Sequence, residues 1–263
     1  NGKNVIETEE VVVGSDTLSF EEYVELRTLS FSIFVTNIGI IYDSLLKFLR
    51  QNNIEIFDLF FQMMKQIDSA PPLVQKIFDS VKNDMVDELW DSPEDIQAHY
   101  QEQEEYEKLL SGEAARNVMQ YHNALVRYSC MDEWTQFAGN IVFGLLKRKK
   151  IISYELENQL KNIINYCIGL GHNTLGDDRM STNPEFLFDY DIKNWLADKN
   201  NKTLSRFKLD KKRTVSFQFS NNDSKVIQDE LDRQNTDSGM GQALKNIHLQ
   251  TQFRKPKAIS QNL

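Results

Sequence analysis

The chain has 263 residues, of which 40% are hydrophobic and 26% charged, with sixteen phenylalanines, a composition that builds a buried core and argues against intrinsic disorder. A net charge of −9 argues against wholesale binding to nucleic acid or an anionic membrane, leaving room only for local basic patches. Cys130 and Cys167 are the two cysteines; they have no CxxC spacing, are too few for a disulfide framework, and fit a reducing, cytoplasmic compartment.

The opening NGKNVIETEE has no initiating Met and no basic-then-apolar leader, so the chain is expected to be a fragment of something longer. Val5, Ile6 and Val11 to Val13 are β-branched and are closed off by Gly14, Ser15 and Asp16, which reads as a strand. Ser19 followed by Glu22 is a capping box and starts a helix. From there Phe20, Val24, Phe31, Phe34, Ile38, Ile41, Leu45 and Leu49 recur at helical steps, while Leu26, Leu29, Ile33 and Val35 carry the apolar surface round the cylinder. Fifteen uncharged residues lie between Arg27 and Asp43. That is fewer than the roughly 20 a bilayer needs, and no membrane span is expected.

Ile56, Leu59, Phe60, Met63, Met64 and Ile67 define a second helix after Asn52-Asn53. Its Phe and Met content fits either core packing or an adaptable binding groove, core packing being the plainer reading. Pro71-Pro72 starts a third, with Leu73, Ile77, Val81, Met85 and Leu89 inward and Trp90 at its close. Ser92-Pro93 starts a fourth inside the run Asp84 to Glu107, which holds ten acidic residues and no Lys or Arg. Asp95, His99 and Glu102 fall there at i, i+4 and i+7, a spacing that could hold a divalent metal. Neither HExxH nor ExxH occurs, so a solvated acidic helix is preferred and no metal site is expected.

Past Ser111-Gly112, the residues Ala115, Val118, Met119, His122, Leu125 and Val126 outline another helix, with His122 a core or boundary residue rather than a ligand. Trp134 to Leu146 follows and ends in Lys147-Arg148-Lys149-Lys150, cations that complement a helix C-terminus. Tyr154 to Leu170 completes the run, with Gly169 and Gly171 suited to its C-terminal cap. GHNTLGDDRMSTNP is a loop in which His172, Asp177 and Asp178 make either a polar site or an exposed connection.

FLFDYDIKNWL reads as an extended piece turning into a helix at Asp191 to Leu196, TVSFQF as one or two half-buried strands, and DSKVIQDELDRQ and GMGQALKNI as helices, before a frayed tail beyond Pro256. Lys199 to Arg213 contains seven basic residues against Asp210 alone. No RNP-type signature accompanies them, and Phe217 and Phe219 read as strand core, so no nucleic-acid partner is expected. There is no GxSxG, no local Cys signature and no Cys/His cluster, and no catalytic residue can be named.

ETEEVVVGSDTLSFEEYVELRTLSF resembles the segment that follows the catalytic barrel in cobalamin-dependent (B12-binding) radical SAM proteins, where a Glu, Thr and Val-rich strand leads through a T-L-S-x-E-E-Y type turn into a long helix. FDYDIKNWL, Leu204, Phe207, the VSFQF strand and a closing helix pair near Phe253-Arg254 are similar to the far C-terminal region of such proteins. The CxxxCxxC triplet that holds the family's iron–sulfur cluster is absent, as is a preceding cobalamin-binding α/β unit. The resemblance therefore implies a region downstream of the radical-generating core, with no catalytic residue of its own. The 4Fe-4S cluster, S-adenosylmethionine and cobalamin would belong to the parent enzyme.

The expected fold is mainly α: an extended strand segment over 1–17, continuing from an upstream domain, a helical bundle-like domain over 18–181, and a small α+β unit over 182–263. The expected function is that of a C-terminal accessory region shaping the substrate cavity of a radical SAM enzyme, its partner being the upstream catalytic domain of the same polypeptide. The alternative, from a different class, is a non-enzymatic helical module that binds another protein through Phe and Met-rich surfaces.

Overall fold

The computed structural model describes residues 6–37, 40–176, 178–234 and 239–259. The mainly α class holds: helices dominate the described residues, and their β-structure is one three-stranded antiparallel sheet. No helix among them is long and apolar enough to cross a membrane.

The capping box forms. Ser19 Oγ accepts from the Glu22 N–H at 3.2 Å and Glu22 Oε2 accepts from the Ser19 N–H at 2.8 Å, launching α1 (Phe20–Asn37). The apolar pattern does not continue as one helix to Leu49. The chain turns through Ile40 to Tyr42 and restarts as α2 (Asp43–Gln51), after Asn37, a weak helix former; Ile38 and Gly39 lie outside the described residues. The turn drops Ile41 and Tyr42 into the core, each 1% exposed. Nor is α1 covered all round, since Phe20 and Leu26 are exposed while Thr28, Leu29, Phe31, Ser32, Val35 and Thr36 face inward.

Ahead of α1 the expected strand does not form. Residues 6–14 have no regular secondary structure, only Ser15 and Leu18 make a bridge, and Val5 lies outside the described residues. Val11 and Val12 are 53% and 76% exposed, because β-branched side chains favour a strand only where a neighbouring strand supplies the ladder.

The bundle continues through α3 (Ile56–Lys65), α4 (Pro72–Asp87), α5 (Pro93–His99), α6 (Gln103–Ser111), α7 (Val118–Leu125), α8 (Met131–Arg148) and α9 (Tyr154–Gly171). Pro72 occupies the first turn of α4, where its missing N–H costs nothing, while Ser92, Asn117 and Ser153 cap α5, α7 and α9. A π-helical turn, Val126–Cys130, joins α7 to α8. At the centre Phe31, Phe78 and Trp134 pack ring against ring with centroids 5.1 to 5.9 Å apart.

Gly169 and Gly171 do not cap α9 from outside; both lie in its last turn and His172 follows as the cap. Their role is closeness: a β-carbon at Gly169 would sit 2.5 Å from the Phe217 ring, and one at Gly171 would sit 3.1 Å from Ile41. The remaining elements are β1 (Glu185–Tyr190), α10 (Ile192–Ala197), β2 (Lys208–Gln218), α11 (Asn221–Arg233), α12 (Gly239–Asn246) and β3 (Lys255–Ala258), with sheet order β1-β2-β3.

β2 is longer than its apolar half, taking in the basic stretch Lys208 to Arg213, and the tail beyond Pro256 pairs through Ala258 instead of fraying at once. Phe188 and Phe217 of the sheet pack edge-on against Tyr166 of α9. The boundary near Thr182 therefore marks a change of secondary structure and not of core: Phe188, Trp195, Phe217 and Phe253 belong to the same buried cluster as Phe31 and Trp134.

Candidate functional site

The acidic metal candidate comes apart. α5 ends at His99, Glu102 is the N-cap of α6, and the i, i+4, i+7 stripe is broken between them. His99 Nε2 instead lies 3.3 Å from Glu105 Oε2, and Asp95 Oδ2 accepts from the Ser92 hydroxyl at 2.6 Å. Among the described residues no group of three or more His, Cys, Asp or Glu side chains is placed to hold a metal.

His122 is fully buried, as a core histidine. Its Nδ1 donates to the Val118 carbonyl at 2.9 Å, which leaves Nε2 to accept from the Ser80 hydroxyl at 3.1 Å. A Ser–His pair is two of the three members of a nucleophilic triad, and sequence reasoning missed it because the two residues are 42 positions apart. The orienting carboxylate of a triad, however, bonds the ring nitrogen opposite the nucleophile. Here Asp84 lies 3.6 Å from the same Nε2 and is taken up by Arg116 at 2.8 Å. Burial lowers the His122 pKa below the usual histidine value. The arrangement ties α4 to α7 and does not activate Ser80.

In the loop after α9, Asp178 accepts from the Asn173 amide at 2.6 Å, and Asp177 lies outside the described residues. His172 turns the other way, its Nδ1 lying 2.7 Å from Asp132 Oδ2 on α8. Arg254, wholly buried, pins this loop by donating to the carbonyls of His172 and Arg179 and to Asn183 Oδ1. His172 and Asp178 engage different partners and do not converge.

Neither thiol suits an iron–sulfur cluster. Burial pushes Cys130 up to about 11 and Cys167 up to about 12, and Cys167 sits against the Ser44 hydroxyl at 3.3 Å.

Two concavities stand out among the described residues. One, of about 440 Å³, is an open polar cleft where Asp43, Lys47 and Arg50 of α2 face Leu196 and Asn201. Lys47 is already committed there, donating to the Trp195 carbonyl at 2.6 Å. The other, of about 280 Å³, lies between the inner face of the sheet and the start of α10. Phe188, Leu209, Val215 and Pro256 give it apolar walls, Tyr166 lies along it, and Asp191 and Arg213 stand at its rim.

Strand alternation places these walls: Phe188 is paired with Arg213 and Phe217 with Pro256, so each pair shares one face of the sheet. Asp191 caps α10 by accepting from the Asn194 N–H at 3.1 Å, and it also accepts from Arg213 Nη1 at 3.4 Å. Burial pushes the Tyr166 hydroxyl up to about 12, which keeps it a neutral donor. An apolar hollow with a few convergent polar groups is a binding shape, and no nucleophile beside a base lines it. Its walls come from α9, all three strands and α10, so no local sequence signal announces it.

The chain matches no protein-family model, no curated protein and no solved structure.

Proposed function

We propose that this chain is the helical accessory region of a cobalamin-dependent radical SAM enzyme, following its barrel and shaping its substrate cavity. The iron–sulfur cluster, S-adenosylmethionine and cobalamin would be held by the upstream catalytic domain of the same polypeptide, in the cytoplasm. The reading is carried by the stretch Glu7 to Leu49, where a β-branched segment with exposed Val11 and Val12 and no ladder partner among the described residues runs directly into the capped α1. Such a segment suits pairing with a sheet in a neighbouring domain. Two buried, unbridged thiols agree with a reducing compartment.

The test is to read the coding sequence upstream of Asn1. A CxxxCxxC triplet within the preceding few hundred residues is expected, and its absence removes the proposal.

A second reading, a non-enzymatic module that binds another protein, draws on α3. Phe60, Met63 and Met64 are buried, which removes them as contact residues, but Phe57 and Phe61 stack with centroids 6.0 Å apart on the outer face, 56% and 37% exposed. A partner complex that persists undiminished after both phenylalanines are changed to Ser would remove this reading.

A further inference from the structure

We infer that the hollow between the sheet and α10 is a binding site for a small aromatic carboxylate. Its volume, about 280 Å³, equals the liquid share of roughly nine waters, which sets the scale of the ligand at one ring and a short acid arm. The apolar surfaces of Leu209, Val215 and Pro256 and the rings of Tyr166 and Phe188 supply the contact a flat ring needs. The rim supplies the charge. Arg213 is 47% exposed on its side chain and engages Asp191 through Nη1 alone, at a long 3.4 Å, so the rest of its guanidinium fork is open to solvent with no acceptor among the described residues.

The sign of the charge follows from what surrounds the hollow. Asp191 is the carboxylate at the rim, and its oxygens already accept from the Asn194 N–H, the Asn194 amide and Arg213. Lys193 adds a second cation to the lining. The Tyr166 hydroxyl, which hydrogen-bonds no described residue, adds a neutral donor. A bidentate carboxylate satisfies the open edge of an arginine fork, whereas an ammonium ligand would meet two cations and one occupied acid. The site needs nothing from an upstream domain, so it stands apart from the radical SAM proposal.

Three probes separate shape from charge: phenylpropionate, phenylpropanol and phenylpropylamine, each titrated into the purified chain and followed by backbone amide NMR. Phenylpropionate is expected to give saturable shifts centred on Tyr166, Phe188, Leu209 and Val215, with the alcohol binding roughly ten-fold more weakly for want of the charge-assisted bond. The amine is expected to bind more weakly still. Arg213→Gln should bring the acid down to the affinity of the alcohol, and Val215→Trp should fill the hollow and abolish both. The variants are compared only where their spectra remain those of the folded chain, and Pro256→Trp fills the same space from β3 if Val215→Trp does not fold. Saturation absent with all three probes, shifts centred elsewhere, or acid binding unchanged in Arg213→Gln would each overturn the inference.

Discussion

Gly169 on α9 lies against the face of Phe217 on β2 so closely that a β-carbon would stand 2.5 Å from the ring. The ring is wholly buried and touches Tyr166, Phe186 and Phe188, so it has no free direction in which to retreat. Gly169→Ala is expected to cost about 1–3 kcal/mol by overpacking. Because this contact joins the helices to the sheet inside one core, urea unfolding should remain a single transition with a lowered midpoint. Two separated transitions would show the sheet to be an independent unit.

How much of this was legible in the sequence depends on where the signal lay. Helix starts are written locally, and Ser19 with Glu22, Pro72, and Ser92 with Pro93 mark theirs at the positions where the structure places them. The break before α2 was hidden because Phe34, Ile41 and Leu45 keep the helical period although the backbone turns through Ile40 to Tyr42. β3 was hidden because its four residues, Lys255 to Ala258, include no β-branched or aromatic residue, and Lys255 and Lys257 are exposed edge-strand lysines. Of the polar groupings, His122 was read correctly from its apolar neighbours, whereas Ser80, Asp132 and the rim of the hollow come together only in the fold.

His122 gives the fold a pH dependence of determined sign. Its folded pKa lies below the value of the unfolded chain, about 6.5, because burial disfavours the cation. Between the two values the unfolded state binds the extra proton, so this contribution to stability is whole above about pH 7 and declines as the pH falls through about 6.5 toward the folded value. Urea midpoints for the protein and for His122→Gln, measured from about pH 7.5 to about pH 5.5, should converge on acidification. Parallel curves would place the titration elsewhere.

The two faces of α3 should respond in opposite ways. Met63 is fully buried, and Met63→Ala is expected to cost about 2–5 kcal/mol by opening a cavity. Phe57 is 56% exposed on the opposite side, and Phe57→Ser should change stability by no more than about 0.5 kcal/mol. Thermal denaturation of the two single variants decides the matter. A large loss from Phe57→Ser would mean that the stacked pair is part of the core.

Arg127 carries its charge into the interior. It is 2% exposed at the π-helical turn between α7 and α8, and neither Nη1 nor Nη2 has a hydrogen-bond partner. The Phe253 ring, 5.3 Å from the guanidinium carbon, offers it a cation–π contact, and burial lowers its pKa to about 10. A buried charge without a counter-ion costs several kcal/mol, more than one cation–π contact returns. Arg127→Met keeps the length and apolar stem of the side chain while removing the charge, and it is expected to leave stability unchanged or raise it by about 1–4 kcal/mol. Guanidinium denaturation of the two proteins at equal ionic strength measures the difference. A loss of several kcal/mol would show instead that the Arg127 guanidinium is neutralised in solution by a group the folded chain holds close to it.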